Sequence, residues 1–263
     1  MKTASLSKHQ LMSDAQRQMH ELMQEPQFSN REKLALTCRI LFDKGHDAGL
    51  AGQITCREQS TNTFITQAFG LGFDEISADN LLEVDADLKP IYGTGMANPA
   101  NRFHTWIYQQ HPEVNCIIHT HPTHVAALAM LATPLQIAQM DTCALYQDCA
   151  FLREWPGVPV GNEEGKIISA ALGEKRAILL AHHGQLVVGK SIEEACNLAI
   201  LIERAAKLQL LAMAAGQIQA LPEALALEAH DWVSTDRRNK VNFAYYARQA
   251  LKQHSDCISR STK

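Results

Sequence analysis

The sequence predicts a single α/β domain, and three observations carry that expectation. Two short apolar runs, residues 114–118 (Val-Asn-Cys-Ile-Ile) and 177–181 (Ala-Ile-Leu-Leu-Ala), have the length and composition of buried strands. Segments with a helical apolar period alternate with them, two of them opened by Ser-x-x-Glu start signals at Ser29/Glu32 and Ser191/Glu194. No internal repeat, low-complexity block or obvious linker divides the 263 residues, a length that suits one large domain or two small ones. The expected organisation is an N-terminal arm over 1–28, the domain over 29–220 and a C-terminal extension over 221–263.

Residues 1–28 are polar, Gln- and Met-rich, and read as a helical or loose, mobile arm. The Ser29 signal opens a helix carrying Leu34, Leu36, Ile40 and Leu41, which Gly45 stops. After the Gly-rich turn 46–52, strand-like pieces follow at 53–57, 63–66 and 81–84, and the Gly-rich segment 92–97 reads as a loop. Pro99 suits the first turn of a helix over 99–111, in which Phe103, Trp106 and Ile107 share a face. The strand at 114–118 leads to a short helix over 123–131. Residues 132–161 are loop-rich with short strands, and 162–173 are helical, ended by Gly173. Acids of Gly161-Asn-Glu-Glu-Gly165 sit where a helix N-terminus favours negative charge. The strand at 177–181 is followed by another at 185–188. A long Ala- and Leu-rich helix then runs to about 215, and a last helix spans about 239–253. Arg237, Arg238 and Lys240 read as its solvated start.

The composition is that of an ordinary water-soluble chain, with a net charge of −4 and no basic stripe of the kind nucleic-acid binders carry. No run approaches the roughly 20 apolar residues that span a bilayer. Met1–Lys8 lacks the apolar core of a signal peptide. The seven cysteines form no CxxC pair and no disulfide-like spacing, so they read as reduced, mostly buried thiols. These features point to the cytoplasm.

Chemistry concentrates in the histidines. In an extended chain residues i and i+2 face the same way, so His119 and His121 present two imidazoles to one point. A third comes from His182-His183-Gly184, at the end of another apolar strand. Three histidines with an open fourth position suit a catalytic zinc ion. His124 is a neighbour, either a substrate contact or a surface helix residue.

Arg102-Phe-His-Thr-Trp-Ile-Tyr-Gln-Gln-His-Pro-Glu-Val-Asn-Cys-Ile-Ile-His-Thr-His121 and Ala177-Ile-Leu-Leu-Ala-His-His-Gly184 together resemble the class II aldolase/adducin family, over about residues 31–217. Gly52-Gln-Ile-Thr-Cys-Arg57 is a weaker match to the family's Gly-Asn-x-Ser-x-Arg. The resemblance implies a central, mostly antiparallel sheet flanked by helices. It implies a divalent metal held by His119, His121 and His183, the histidine directly before glycine. It also implies a homotetramer, with a C-terminal tyrosine, Tyr245 or Tyr246, reaching a neighbour's active site.

The chain departs from the family at the acid/base. The aldolases carry Pro-Ser-Ser-Glu before the helix that precedes His-x-His; here the stretch is Asn98-Pro99-Ala100-Asn101, which puts Ala100, or after a one-residue slip Asn101, at the glutamate. Neither transfers a proton. Gln53 stands at the phosphate-contacting Asn, which favours a substrate without phosphate. The remaining acid/base candidates are His104, Asp141, Tyr146, Glu154 or a metal-bound hydroxide, and the C-terminal tyrosine of the resemblance adds Tyr246 as a catalytic candidate. The reading that follows is a metal-dependent lyase acting on a small hydroxy- or oxo-acid or sugar-derived substrate. The alternative is a non-catalytic binding or assembly module like the adducin head.

Overall fold

A computed structural model describes residues 6–25, 27–58 and 60–258. Most of the expectation about a signal peptide, and parts of the arm over 1–28, therefore lie outside the described residues. Helix α1 (Lys8–Leu22) starts on a capping box in which Ser7 and Gln10 bond reciprocally. Helix α2 (Asn30–Asp43) begins on the same device, Ser29 with Glu32, and Gly45 just past its end takes φ +83°, a conformation that side chains with a Cβ resist.

Strands β1 (Gln53–Glu58) and β2 (Thr63–Thr66) form a hairpin, joined at its outer side by β3 (Leu82–Val84) and β4 (Pro90–Tyr92). Helix α3 (Asn101–Gln110) precedes β5 (Cys116–Thr120), and α4 (Thr123–Met130) follows it directly. Pro99 is not in the first helical turn. It lies in the turn before it, where the amides of Asn101 and Arg102 already bond back to the carbonyls of Asn98 and Pro99. Then come β6 (Cys149–Leu152), α5 (Asn162–Leu172), β7 (Ala177–Leu180) and β8 (Gln185–Gly189). The chain closes with α6 (Ile192–Ala215), α7 (Glu223–Val233) and α8 (Asp236–Gln253).

The strands make one sheet in the order β4-β3-β2-β1-β5-β8-β7-β6. Every ladder between them is antiparallel except β6 with β7. The expected mostly antiparallel sheet flanked by helices is thus present, with one parallel pair that the sequence reading did not anticipate. Side chains alternate between two cores, as a period of two requires. Ile117, Leu186 and Ile178 pack under Phe103 and Ile107 of α3 and Ile168 of α5. Ile118, Val187 and Leu179 pack under Leu36 of α2, Ile202 of α6 and Phe243 of α8. Among the described residues no helix is long and apolar enough to cross a membrane. All seven cysteines are free, and six of them are buried.

Two further local expectations need correcting. At α6, Ser191 caps the amide of Glu194, but the Glu194 carboxylate turns to Lys190 N and to Arg176 instead of closing a capping box. Arg237 is not a solvated helix start: its guanidinium is largely buried against Glu25 and the carbonyl of Met19 at the end of α1.

Candidate metal centre

His119 lies inside β5, where β1 and β8 pair with it on both sides, opposite Gln53 and Leu186. Two residues on, His121 has just left the strand and faces the same side. His183 sits in the short turn from β7 to β8, whose next residue is Gly184. That glycine is a matter of space. A Cβ there would stand 2.4 Å from His121 Cδ2 and 2.6 Å from the Thr120 carbonyl oxygen, far inside contact distance. Turn geometry adds strain beside it, since His182 holds φ +58° and is exposed.

The three rings converge. His121 Nε2 is 2.8 Å and His183 Nε2 3.3 Å from His119 Nε2, and all three ligand atoms lie within 4.8 Å of one another. A tetrahedral ion with bonds of ~2.0–2.1 Å to nitrogen sets its ligand atoms about 3.3 Å apart. The Gln185 carbonyl, which only accepts, takes the Nδ1 proton of His119 at 2.8 Å. This fixes the tautomer and leaves the Nε2 lone pair aimed at the other two rings, the arrangement that metal-binding histidines use. Burial holds His119 well below the usual imidazole pKa, with the neighbouring rings adding to the effect; burial and His121 lower His183 to about 4, and burial lowers His121. All three are therefore neutral at physiological pH, the form that coordinates. The residues present fit a divalent cation.

Of the other expected site residues, Gln53 stands opposite His119 in the β1–β5 ladder, and the Phe103 ring packs against both His104 and His119. His104 is fully buried on α3, with Nδ1 2.8 Å from Thr55 Oγ1 and Nε2 unpartnered, and burial lowers its pKa to about 3. Such a group has little means of exchanging a proton with a substrate near neutrality. Asn101 is buried too, its amide nitrogen on Thr66 Oγ1 at 3.1 Å, and Ala100 caps α3 without a side-chain bond. Gln53 is buried with its Nε2 unpartnered. Tyr246 lies half-buried on α8, its ring 5.1 Å from Lys44 Nζ, while Tyr245 is exposed and accepts from Gln249. Asp141 pairs with Arg204 at the surface, Tyr146 is partly buried and Glu154 exposed.

His124 is a helix residue with a defined partner. Its Nδ1 is 2.5 Å from Glu203 on α6, whose carboxylate also accepts the His124 and Val125 amides and so caps α4. Sequence reasoning missed Glu203, Gly184 as a space-filling constraint, and Gln185. A polar residue opening the run Gln-Leu-Val-Val was the available signal for the last.

Residues 32–210 match the family model described as the Class II Aldolase and Adducin N-terminal domain. The decarboxylase NovR of Streptomyces niveus is 29% identical over 72% of this chain and 70% of its own length. Adducin-related protein 1 of Caenorhabditis elegans is 33% identical over 64% of this chain, which corresponds to 24% of that larger protein. The solved structure of an L-fuculose 1-phosphate aldolase from Glaciozyma antarctica superposes with a TM-score of 0.81 at 28% identity, over 90% of this chain and 97% of that one.

Proposed function

The chain belongs to the class II aldolase and adducin family, and from that premise we propose that it is a zinc-dependent carbon–carbon lyase. Its substrate is a small hydroxy- or oxo-acid or a sugar-derived molecule, cleaved by retro-aldol reaction or decarboxylation. The observation that carries this reading is the convergence of three neutral imidazoles, one with its tautomer set by a carbonyl. His119, His121 and His183 would hold the ion. When bound, it supplies a Lewis acid that polarises a substrate carbonyl.

The protein's own groups do the rest. Gln185 keeps the His119 lone pair inward, and Gly184 leaves His121 its place. Ala100 and Asn101 have no proton to move, so the acid/base must come from elsewhere. His104, buried and neutral, fits a role as packing behind His119 better than as a shuttle. Among the groups that remain, Tyr246 of a neighbouring copy in a homotetramer is the proposed proton donor, on the likeness to the C-terminal tyrosine of the family's aldolases. Relatives that include a decarboxylase and an aldolase support the lyase class. The free thiols support a cytoplasmic setting.

A specific observation favours a second reading. The missing carboxylate at Ala100 and Asn101, with a relative named for adducin, suits a binding module with no chemistry. Metal analysis of the purified protein and of His119→Ala separates the two. About one zinc per chain, lost in the variant, supports the lyase. A folded protein that takes up no metal points to the module. A screen of hydroxy- and oxo-acids for carbon dioxide release or aldehyde formation then identifies the reaction.

A further inference from the structure

Behind the triad, on the opposite face of the sheet, three polar side chains are buried among apolar ones. Thr120 of β5 and Gln185 of β8 are 0% exposed, and His46, in the turn after α2, is 2% exposed. They share that face with Ile118, Val187 and Leu179 of the same ladders, all members of the apolar core there. Thr120 and Gln185 stand opposite one another in the β5–β8 ladder. Gln185 Nε2 donates to Thr120 Oγ1 at 3.0 Å and to the Ala199 carbonyl of α6 at 3.1 Å. Thr120 Oγ1 in turn lies 2.8 Å from His46 Nδ1. Two atoms of this network, His46 Nε2 and Gln185 Oε1, have no partner.

Buried polar atoms without partners weaken a fold, and apolar side chains of similar shape would pack here without that loss. The network's other end is the triad itself, because the Gln185 main-chain carbonyl is the group that accepts from His119 Nδ1. Gln185 also directly follows His183 and Gly184. We infer that Thr120, Gln185 and His46 are positioning residues for the metal centre. By tying the Gln185 side chain to β5 and to α6, the network fixes the Gln185 peptide. The fixed peptide keeps its carbonyl on His119 and holds the strand end that delivers His183. This inference rests on reading His119, His121 and His183 as the metal ligands.

Zinc and cobalt(II) titrations of the full chain test it, alongside urea unfolding of the metal-free protein. The variants are Gln185→Leu and the pair Thr120→Val with Gln185→Leu, which removes the bond between the two strands and leaves His46 Nδ1 without its partner. The expected result is that both variants fold and unfold cooperatively, the pair at a midpoint somewhat below that of the wild type. Zinc binding should weaken ~10–100-fold, the range for partners that orient metal ligands, and the cobalt absorption band should shift. Wild-type affinity and an unchanged cobalt band in the pair would overturn the inference. So would failure of both variants to fold, because the network would then be holding the fold and not the site. A wild-type chain that binds neither metal removes the lyase reading first, and this inference with it.

Discussion

Where β5 and β8 meet, each group is held from several directions; where α1 meets α7, a whole helix is held mainly by its ends. His119 is 1% exposed, sits between two paired strands and gives its second nitrogen to a carbonyl. Helix α1 has no buried residue. It lies beside α7 with cavities of about 430 and 520 Å³ on its flanks, lined by Met12 and Trp232, and is tied through Lys8–Glu228 and by Arg237 to Glu25 and the Met19 carbonyl. Ion pairs with exposed members add little stability, whereas close packing punishes even one added methyl group. The contrast teaches that tolerance to change should fall steeply from the α1 end toward the triad.

The largest effect expected is at the triad. His119→Ala should abolish stoichiometric zinc uptake, measured by elemental analysis, while circular dichroism stays that of a folded protein. Next comes Gly184→Ala. The Thr120 carbonyl cannot give way, so the added methyl should displace His121, weaken zinc binding and destabilise the fold by about 1–3 kcal/mol. Equal zinc affinity in that variant would break the contrast at its stricter end.

Acid should act at the same end. His46 and His104 are buried and neutral, each with its pKa lowered to about 3, whereas the unfolded chain takes up protons near ~6.5. Between those values the unfolded state binds more protons than the folded one, so stability is full above ~6.5 and is lost as pH falls toward 3. Each group contributes about 1.4 kcal/mol per pH unit within that window. Urea unfolding at pH 7 and pH 5 should therefore differ by several kcal/mol, and His104→Phe should reduce the difference. The smallest effect is expected at the other end. Removing residues 1–18, which takes away the exposed Lys8–Glu228 pair but leaves Glu25 and the Met19 carbonyl to Arg237, should cost no more than about 1 kcal/mol and leave zinc affinity unchanged. A large loss of stability there would mean that α1 is held more firmly than its contacts suggest.

The same gradient governs what could be read in the sequence. Helix α2 was legible because Ser29, Glu32 and Gly45 mark its ends locally. The buried strands at the sheet centre announced themselves by β-branched runs. Strand β4 did not, being three exposed residues that start with a proline. Helix α7 gave no signal either: it buries only Ala226 and has no side-chain cap at its start. At the site, His119, His121 and His183 were readable as positions, by strand period and by the glycine after the last. Their orientation was not, because it depends on register between strands 66 residues apart in sequence. The pairing of Gln185 with Thr120, and of His124 with Glu203, belongs to the same class of long-range facts.

The sheet order has a consequence for synthesis. Strands β5 and β8 are neighbours in the finished sheet, yet β6, β7 and two helices are made between them. A nascent chain that has emerged only as far as residue 182 offers two of the three rings, and the carbonyl that orients the first has not yet left the ribosome. An ion held by all three rings, as proposed for the triad, would be captured only once β8 has docked, and its binding free energy would then add to the stability of the folded chain.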